Sequence, residues 1–182
     1  MSFLSDHKSK FNDLDYHLKN KDQLRRIANG GNSILFSYPP IEENEYIRKA
    51  EELYSNNAIF INIGDLLVTY IESIGWPDFK ELYHDFKNTP YKLFKAEDSN
   101  DDYFNLIITE IINADSQGKI PMIIRSGALY GTGIENINIM EHNSIVTLSL
   151  PLVIFYPSKI DEDNLLFLNF RPASKYRCTL IK

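Results

Sequence analysis

The sequence has one cysteine, no long apolar run and no excess of positive charge, and each shortage excludes a class of protein. Cys178 is the only cysteine among 182 residues, so internal disulfides and multi-cysteine metal sites are excluded. The best apolar run, residues 145–156, is interrupted by polar residues and is shorter than the roughly 18 residues of a membrane helix. The N-terminal MSFLSDHKSKF has no apolar segment typical of a secretory signal. We therefore expect a cytoplasmic protein that does not bind membranes.

The net charge argues against autonomous nucleic-acid binding. Nineteen Lys and Arg residues stand against 25 Asp and Glu residues, which gives a formal charge of −6. Proteins that bind nucleic acids on their own are normally basic, because neutralising phosphates supplies their affinity. One basic segment lies within residues 17–26. Such a segment is commonly a solvated helix face, and we also consider it a candidate partner-binding surface, formed by Lys19, Lys21, Arg25 and Arg26.

The apolar content is sufficient for a packed core. Hydrophobic residues make up 43% of the chain, including 11 Tyr and 11 Phe, and the length suits one domain spanning residues 1–182. Residues 1–30 form an N-terminal helical segment in this interpretation. Residues 88–102 are polar and irregular, which predicts a mobile loop before a helix that begins near Asp101 or Asp102.

Short apolar runs alternate with helical patterns along the rest of the chain. This alternation predicts an α/β fold with a mostly parallel sheet of about four strands and helices on both faces. Pro157 is expected to end the fourth strand, and Asp65 is expected to cap the helix after the second. Two C-terminal segments are expected to form an antiparallel edge pair. The predicted parallel strands are residues 33–38, 58–63, 120–125 and 150–156, and the edge pair is residues 164–170 and 175–181.

The predicted topology is P-loop-like, yet the sequence carries no phosphate-binding loop of that kind. Neither Gly-Lys-Ser nor Gly-Lys-Thr occurs, and no G-x-G-x-x-G is present. Pro39 and Pro40 follow the first strand, and proline lacks the backbone N–H that such a loop uses. P-loop nucleotide hydrolysis is therefore excluded.

The connection after the third strand is the remaining candidate for ligand binding. An anion or nucleotide would be held by the Gly-rich turn, whose glycines let the backbone approach a ligand. The alternative is a turn that only permits tight packing, with its arginine paired to a local carboxylate. The candidate cofactor-binding residues are Arg125, Ser126, Gly127, Gly131 and Gly133.

The sequence offers no catalytic or metal-binding motif. Ser126, His142 and Asp65 are residue types of a hydrolytic triad, but their spacing does not require them to meet. The four histidines do not stand at metal-binding intervals. We therefore expect a protein that is not an enzyme and uses no cofactor.

Several segments of the sequence carry distinctive residues in a definite order. A strand runs into Tyr-Pro-Pro at 34–40, and another runs into Asp-Leu-Leu at 62–67. A Pro-Leu-Val-containing strand follows at 151–157, then a Leu-rich strand at 165–170 and a closing Tyr-Arg at 176–177. In this order, the segments resemble the BrxB family of BREX bacteriophage-exclusion systems. The chain looks like a divergent member, because Ser158-Lys159 and Asp163-Asn164 replace the glycine-containing turns usual in the family.

The resemblance implies a role and no reaction. It implies a non-enzymatic accessory subunit of an anti-phage defence system in bacteria, acting through protein–protein contacts. The implied partners are a PglZ-type phosphatase-like protein, an AAA-type ATPase and a methyltransferase. No catalytic residue of the family carries over to this sequence.

Overall fold

The computed structural model describes residues 3–96 and 101–182, which form an α/β fold around one sheet. The strands are β1 (Ser33–Tyr38), β2 (Ala58–Asn62), β3 (Ile120–Ile124), β4 (Leu152–Asp161), β5 (Asn164–Phe167), β6 (Arg171–Ala173) and β7 (Cys178–Ile181). Five parallel strands run in the order β2-β3-β4-β1-β7, and β5 and β6 extend the sheet from β4. This confirms the predicted mostly parallel sheet.

Helices cover both faces of the sheet, as predicted. The N-terminal helices and α3 pack on one face, and α4 to α9 pack on the other. Short 3-10 turns at Pro40–Glu42 and Ser126–Leu129 follow β1 and β3. The helices are α1 (Phe3–Lys19), α2 (Lys21–Ile27), α3 (Glu43–Tyr54), α4 (Ile63–Ile74), α5 (Trp76–Phe86), α6 (Tyr91–Phe94), α7 (Tyr103–Ser116), α8 (Asn136–Met140) and α9 (Asn143–Val146).

Two apolar cores lie on either side of the sheet, because successive side chains of a strand point to opposite faces. In β4, Ile154 and Tyr156 contribute to the larger core beneath α4 to α9. Val153 and Phe155 contribute to the core beneath α1 to α3. Burial on both faces explains why β4 reads as a continuous apolar run.

The C-terminal strand lies at a different place from the predicted one. The predicted antiparallel edge pair is present, but it is formed by β5 and β6. Residues 175–181 were expected to be its second member, whereas β7 lies parallel to β1. Gly31 permits this arrangement: a Cβ there would lie 1.8 Å from the backbone oxygen of Arg177. The close approach joins distant parts of the chain, and no local pattern encodes it.

Two element boundaries also differ from the prediction. Strand β4 does not end at Pro157 but continues to Asp161. Beyond Ile154 the strand has no β3 partner, so a residue without an N–H is tolerated there. Helix α4 is capped by Asn62 and not by Asp65, because the Asn62 side chain accepts hydrogen bonds from the first-turn amides.

The segment predicted to be a loop contains ordered structure. Helix α6 lies within it, and Leu93 and Phe94 are buried in the larger core. The expected helix start near Asp102 is confirmed, since the Asp102 carboxylate accepts from the Asn105 N–H at 2.7 Å. Residues 97–100 lie outside the described part of the chain. Over residues 3–96 and 101–182, no helix has both the length and the apolar character needed to span a membrane.

Candidate functional site

A connected set of polar side chains occupies the ends of β1 and β3. The Arg125 guanidinium donates to the Glu43 carboxylate at 2.8 Å and to the Asn44 side-chain oxygen at 2.7 Å. The Tyr38 hydroxyl donates to the other Glu43 oxygen at 2.8 Å. Burial, reinforced by the Glu43 charge, raises the pKa of Tyr38. We call Tyr38, Glu43, Asn44 and Arg125 the polar network.

The polar network occupies the region where a P-loop protein holds phosphate. Pro39 begins the connection after β1, and the carboxylate of Glu43, the first residue of α3, forms an ion pair with Arg125. Arg125 and Glu43 border an open crevice together with Asp65. Two carboxylates beside one guanidinium oppose the binding of an anion. Of the two interpretations of Arg125, the structure therefore contains the pairing with a local carboxylate.

The five candidate ligand-binding residues do not converge on one site. Ser126 is fully buried and donates to the Phe155 backbone oxygen at 2.7 Å. Gly127 faces Leu168, at ordinary van der Waals distance. Gly131 and Gly133 line a separate cavity, which Arg125 does not border.

Two of the three residues considered for a hydrolytic triad, Ser126 and His142, are engaged elsewhere. The Ser126 hydroxyl is held by β4, as described above. His142 Nδ1 accepts from the Ser144 N–H at 3.3 Å and caps α9. Burial, with the nearby Lys95 charge, lowers the pKa of His142. Among the described residues, no group of three His, Cys, Asp or Glu side chains is placed to hold a metal ion.

The basic segment is exposed, and two of its four residues form hydrogen bonds that stabilise the fold. Arg25 donates to the Leu148 backbone oxygen at 2.8 Å, and Lys21 donates to the Ser149 backbone oxygen at 3.4 Å. These bonds hold α2 against the loop before β4. Lys19 and Arg26 make no hydrogen bond or ion pair within residues 3–96 and 101–182, so their charges are available to a partner.

A small cavity that the sequence did not indicate lies between the connection after β3 and the β5–β6 hairpin. Tyr156 and Phe167 stack there with ring centroids 4.7 Å apart. Glu135 and Arg171 form an ion pair at 3.0 Å on its wall. We call it the tyrosine cavity; its lining includes Leu129, Tyr130, Gly131, Gly133, Ile134, Glu135, Asn136, Tyr156, Phe167, Arg171, Pro172 and Ala173.

An exposed aromatic pair lies beside the tyrosine cavity. The rings of Tyr130 and Phe170 meet edge to face with centroids 5.6 Å apart, and the two side chains are 53% and 59% exposed. The turn before Phe170 places Leu168 and Asn169 in the left-handed region, at φ 50° and 70°. That backbone is strained for leucine, and a hydrogen bond from the Leu168 N–H to the Pro157 oxygen at 2.8 Å helps to hold it.

Comparisons with known proteins give no assignment: the chain matches no known protein family, no curated protein and no solved structure.

Proposed function

We propose that the protein is a cytoplasmic accessory subunit of a BREX-type anti-phage defence system in bacteria. It acts through contacts with another protein of that system, of the phosphatase-like, ATPase or methyltransferase kind, and carries out no reaction itself. The BrxB-like segments, which follow one another in the order typical of that family, support the assignment to a BREX-type system. The exposed pair Tyr130 and Phe170 supports a protein partner and is the observation that carries the proposal.

The aromatic pair has the properties of an interaction hot spot. Aromatic side chains bury a large area at low entropic cost, and a few of them commonly dominate the energy of an interface. Tyr130 and Phe170 already contact each other, so little rotamer freedom is lost when a partner covers them. The turns that carry them are tied to β4 through Ser126 and Leu168.

The basic segment provides a second contact in this proposal. Lys19 and Arg26 are exposed on the helices next to the core of α1 to α3. Charges at an interface mainly speed association and select partners. Reversing the charge of Arg26 should slow partner association while leaving the melting temperature unchanged, because its side chain makes no hydrogen bond or ion pair within the described residues.

The proposal is tested by tagging the protein in its native host, purifying it at low salt and identifying the recovered proteins. We expect near-stoichiometric recovery of one partner of the three kinds. The double variant Tyr130→Ser and Phe170→Ser should reduce recovery by at least tenfold, since loss of two hot-spot side chains costs roughly 2 kcal/mol or more.

Tyr83→Ser is the matched control, because Tyr83 is 45% exposed and stacks on Phe79 but lies on α5, which packs on the opposite face of the sheet from the basic segment. It should leave recovery unchanged. Equal recovery with the wild-type protein and the Tyr130 and Phe170 variant would remove the aromatic pair from the proposal. Recovery of the tagged chain alone would contradict the accessory role.

The alternative function is that of a small-molecule or nucleotide-binding domain using the turn from Arg125 to Gly133. It is favoured by the crevice that Arg125 and Gly127 border. It predicts that ATP or phosphate at millimolar concentration raises the melting temperature through binding to the native state, and that Arg125→Ala abolishes the rise. Because Glu43 already neutralises Arg125, we expect no rise in the wild-type protein.

A further inference from the structure

The tyrosine cavity contains a polar group that the fold leaves unsatisfied. Tyr156 is only 3% exposed, yet its hydroxyl makes no hydrogen bond with any residue of the described ranges. The Glu135 and Arg171 charges act on this hydroxyl with opposite sign, and both residues line the cavity. The hydroxyl therefore faces the cavity. Because this hydroxyl has no partner within the described residues and is not fully shielded from solvent, it is available to donate to a polar group that enters the cavity.

Backbone donors border the same cavity. Gly131 and Gly133 both line it, and their N–H groups form no hydrogen bond within residues 3–96 and 101–182. Both glycines have positive φ, 86° and 79°. The lining of one cavity therefore includes two residues with unpaired amides and one with an unpaired hydroxyl, a set of donors that favours a ligand that accepts hydrogen bonds.

The size and charge of the cavity further restrict the kinds of ligand that it can bind. Its volume is about 20 Å³, and roughly 10–15 Å³ is needed for one water-sized group, so a single oxygen fits. The Glu135 carboxylate neutralises Arg171 at 3.0 Å and would repel an anion. The acceptor that fits is therefore uncharged.

We propose that the tyrosine cavity receives an amide carbonyl oxygen from a segment of the bound partner protein. The Tyr156 hydroxyl and the amides of Gly131 and Gly133 donate to that oxygen. The flanking side chain of the segment rests on Tyr130 and Phe170, which lie beside the cavity. This inference rests on the proposed function, because the partner supplies the segment.

Small aromatic amides test the cavity without the partner. Benzamide, benzoate and benzylamine are titrated separately into the full-length protein while backbone amide resonances are followed by NMR. We expect benzamide to shift the resonances of Gly131 and Gly133 with millimolar affinity, and the other two to have no effect. Tyr156→Phe should weaken benzamide binding roughly 2- to 10-fold, the range for one neutral hydrogen bond.

Tyr38→Phe is the control, because it removes a tyrosine hydroxyl from the polar network, and it should leave benzamide affinity unchanged. Absence of benzamide shifts, equal binding to Tyr156→Phe, or preferential binding of benzoate or benzylamine would each overturn the inference. The outcome is separate from that of the partner purification. If benzamide binds but the Tyr130 and Phe170 variant recovers the partner normally, the tyrosine cavity is retained as a binding site and the aromatic pair is rejected as a partner contact. If benzamide does not bind but that variant loses the partner, the aromatic pair is retained and the cavity is rejected.

Discussion

The polar network and the tyrosine cavity both involve the connection after β3, but they treat their polar groups in opposite ways. In the polar network, the Glu43 carboxylate accepts from both Tyr38 and Arg125. In the tyrosine cavity, the Tyr156 hydroxyl has no partner among the described residues. The donors and the carboxylate of the polar network therefore form hydrogen bonds with one another within the fold. The hydroxyl of the tyrosine cavity can still donate a hydrogen bond to a ligand.

This difference favours the tyrosine cavity over the carboxyl ends of the parallel strands as a binding site. Ligands of parallel α/β sheets usually bind at the carboxyl ends of the strands, and that end is where Arg125 forms its ion pair. The tyrosine cavity lies elsewhere, between the antiparallel hairpin of β5 and β6 and the connection after β3. An accessible donor without a partner inside a cavity is a better indicator of binding than a charged residue whose charge is already paired.

The largest expected effect comes from the two glycines of the tyrosine cavity. Gly133→Ala would place a Cβ 2.8 Å from the Tyr91 Cβ at positive φ, so strain and overpacking should together lower the free energy of unfolding by roughly 2–4 kcal/mol. Gly131→Ala meets no atom within 4 Å and should cost only the left-handed strain, roughly 1–2 kcal/mol. Urea denaturation compares the two. Equal losses would show that the Tyr91 contact does not restrict this turn.

The contrast between the regions was only partly predictable from sequence. Strand β1 was predicted with its observed bounds, because a continuous apolar run lies between a glycine turn and two prolines. The pairing of Arg125 with a carboxylate was one of two open alternatives, and its partner Glu43 is 82 residues away. No local pattern could choose between them.

The tyrosine cavity was not predictable. Tyr156 reads as one more apolar position of a buried strand, and whether its hydroxyl finds a partner depends on residues from β6 and the connection after β3. Tyr130 and Phe170 are brought together by the β5–β6 hairpin. The placement of β7 was predicted wrongly for the same reason, since it requires the close approach of Gly31 to Arg177.

Removing one hydroxyl from each region tests the comparison directly. Tyr38→Phe deletes a hydrogen bond to a carboxylate from a fully buried side chain and should lower the free energy of unfolding by roughly 1–2 kcal/mol. Tyr156→Phe deletes a hydroxyl without a partner and should change it by less than about 0.5 kcal/mol. Urea denaturation at neutral pH measures both. A loss for Tyr156→Phe as large as that for Tyr38→Phe would mean that the cavity hydroxyl already stabilises the fold.

The smallest expected effect is a pH dependence on the tyrosine-cavity side of the sheet. Burial, with Lys95 nearby, lowers the pKa of His142, so the unfolded chain binds this proton more readily than the folded one. The contribution of His142 to stability is therefore complete above its ordinary pKa of about 6.5 and is lost as the pH falls from there through the lowered folded pKa. Protonation also removes the Nδ1 acceptor that caps α9.

His142→Asn separates titration from capping, because asparagine is a preferred N-cap but does not titrate. Melting temperatures of this variant should fall less between pH 7 and pH 5 than those of the wild-type protein, whereas the exposed control His84→Asn should follow the wild type. Tyr38 should contribute nothing to this slope, since its raised pKa keeps the hydroxyl protonated throughout the range. An identical slope in His142→Asn would show that the acid sensitivity arises elsewhere, and the two regions would then differ in hydrogen bonding but not in their response to pH.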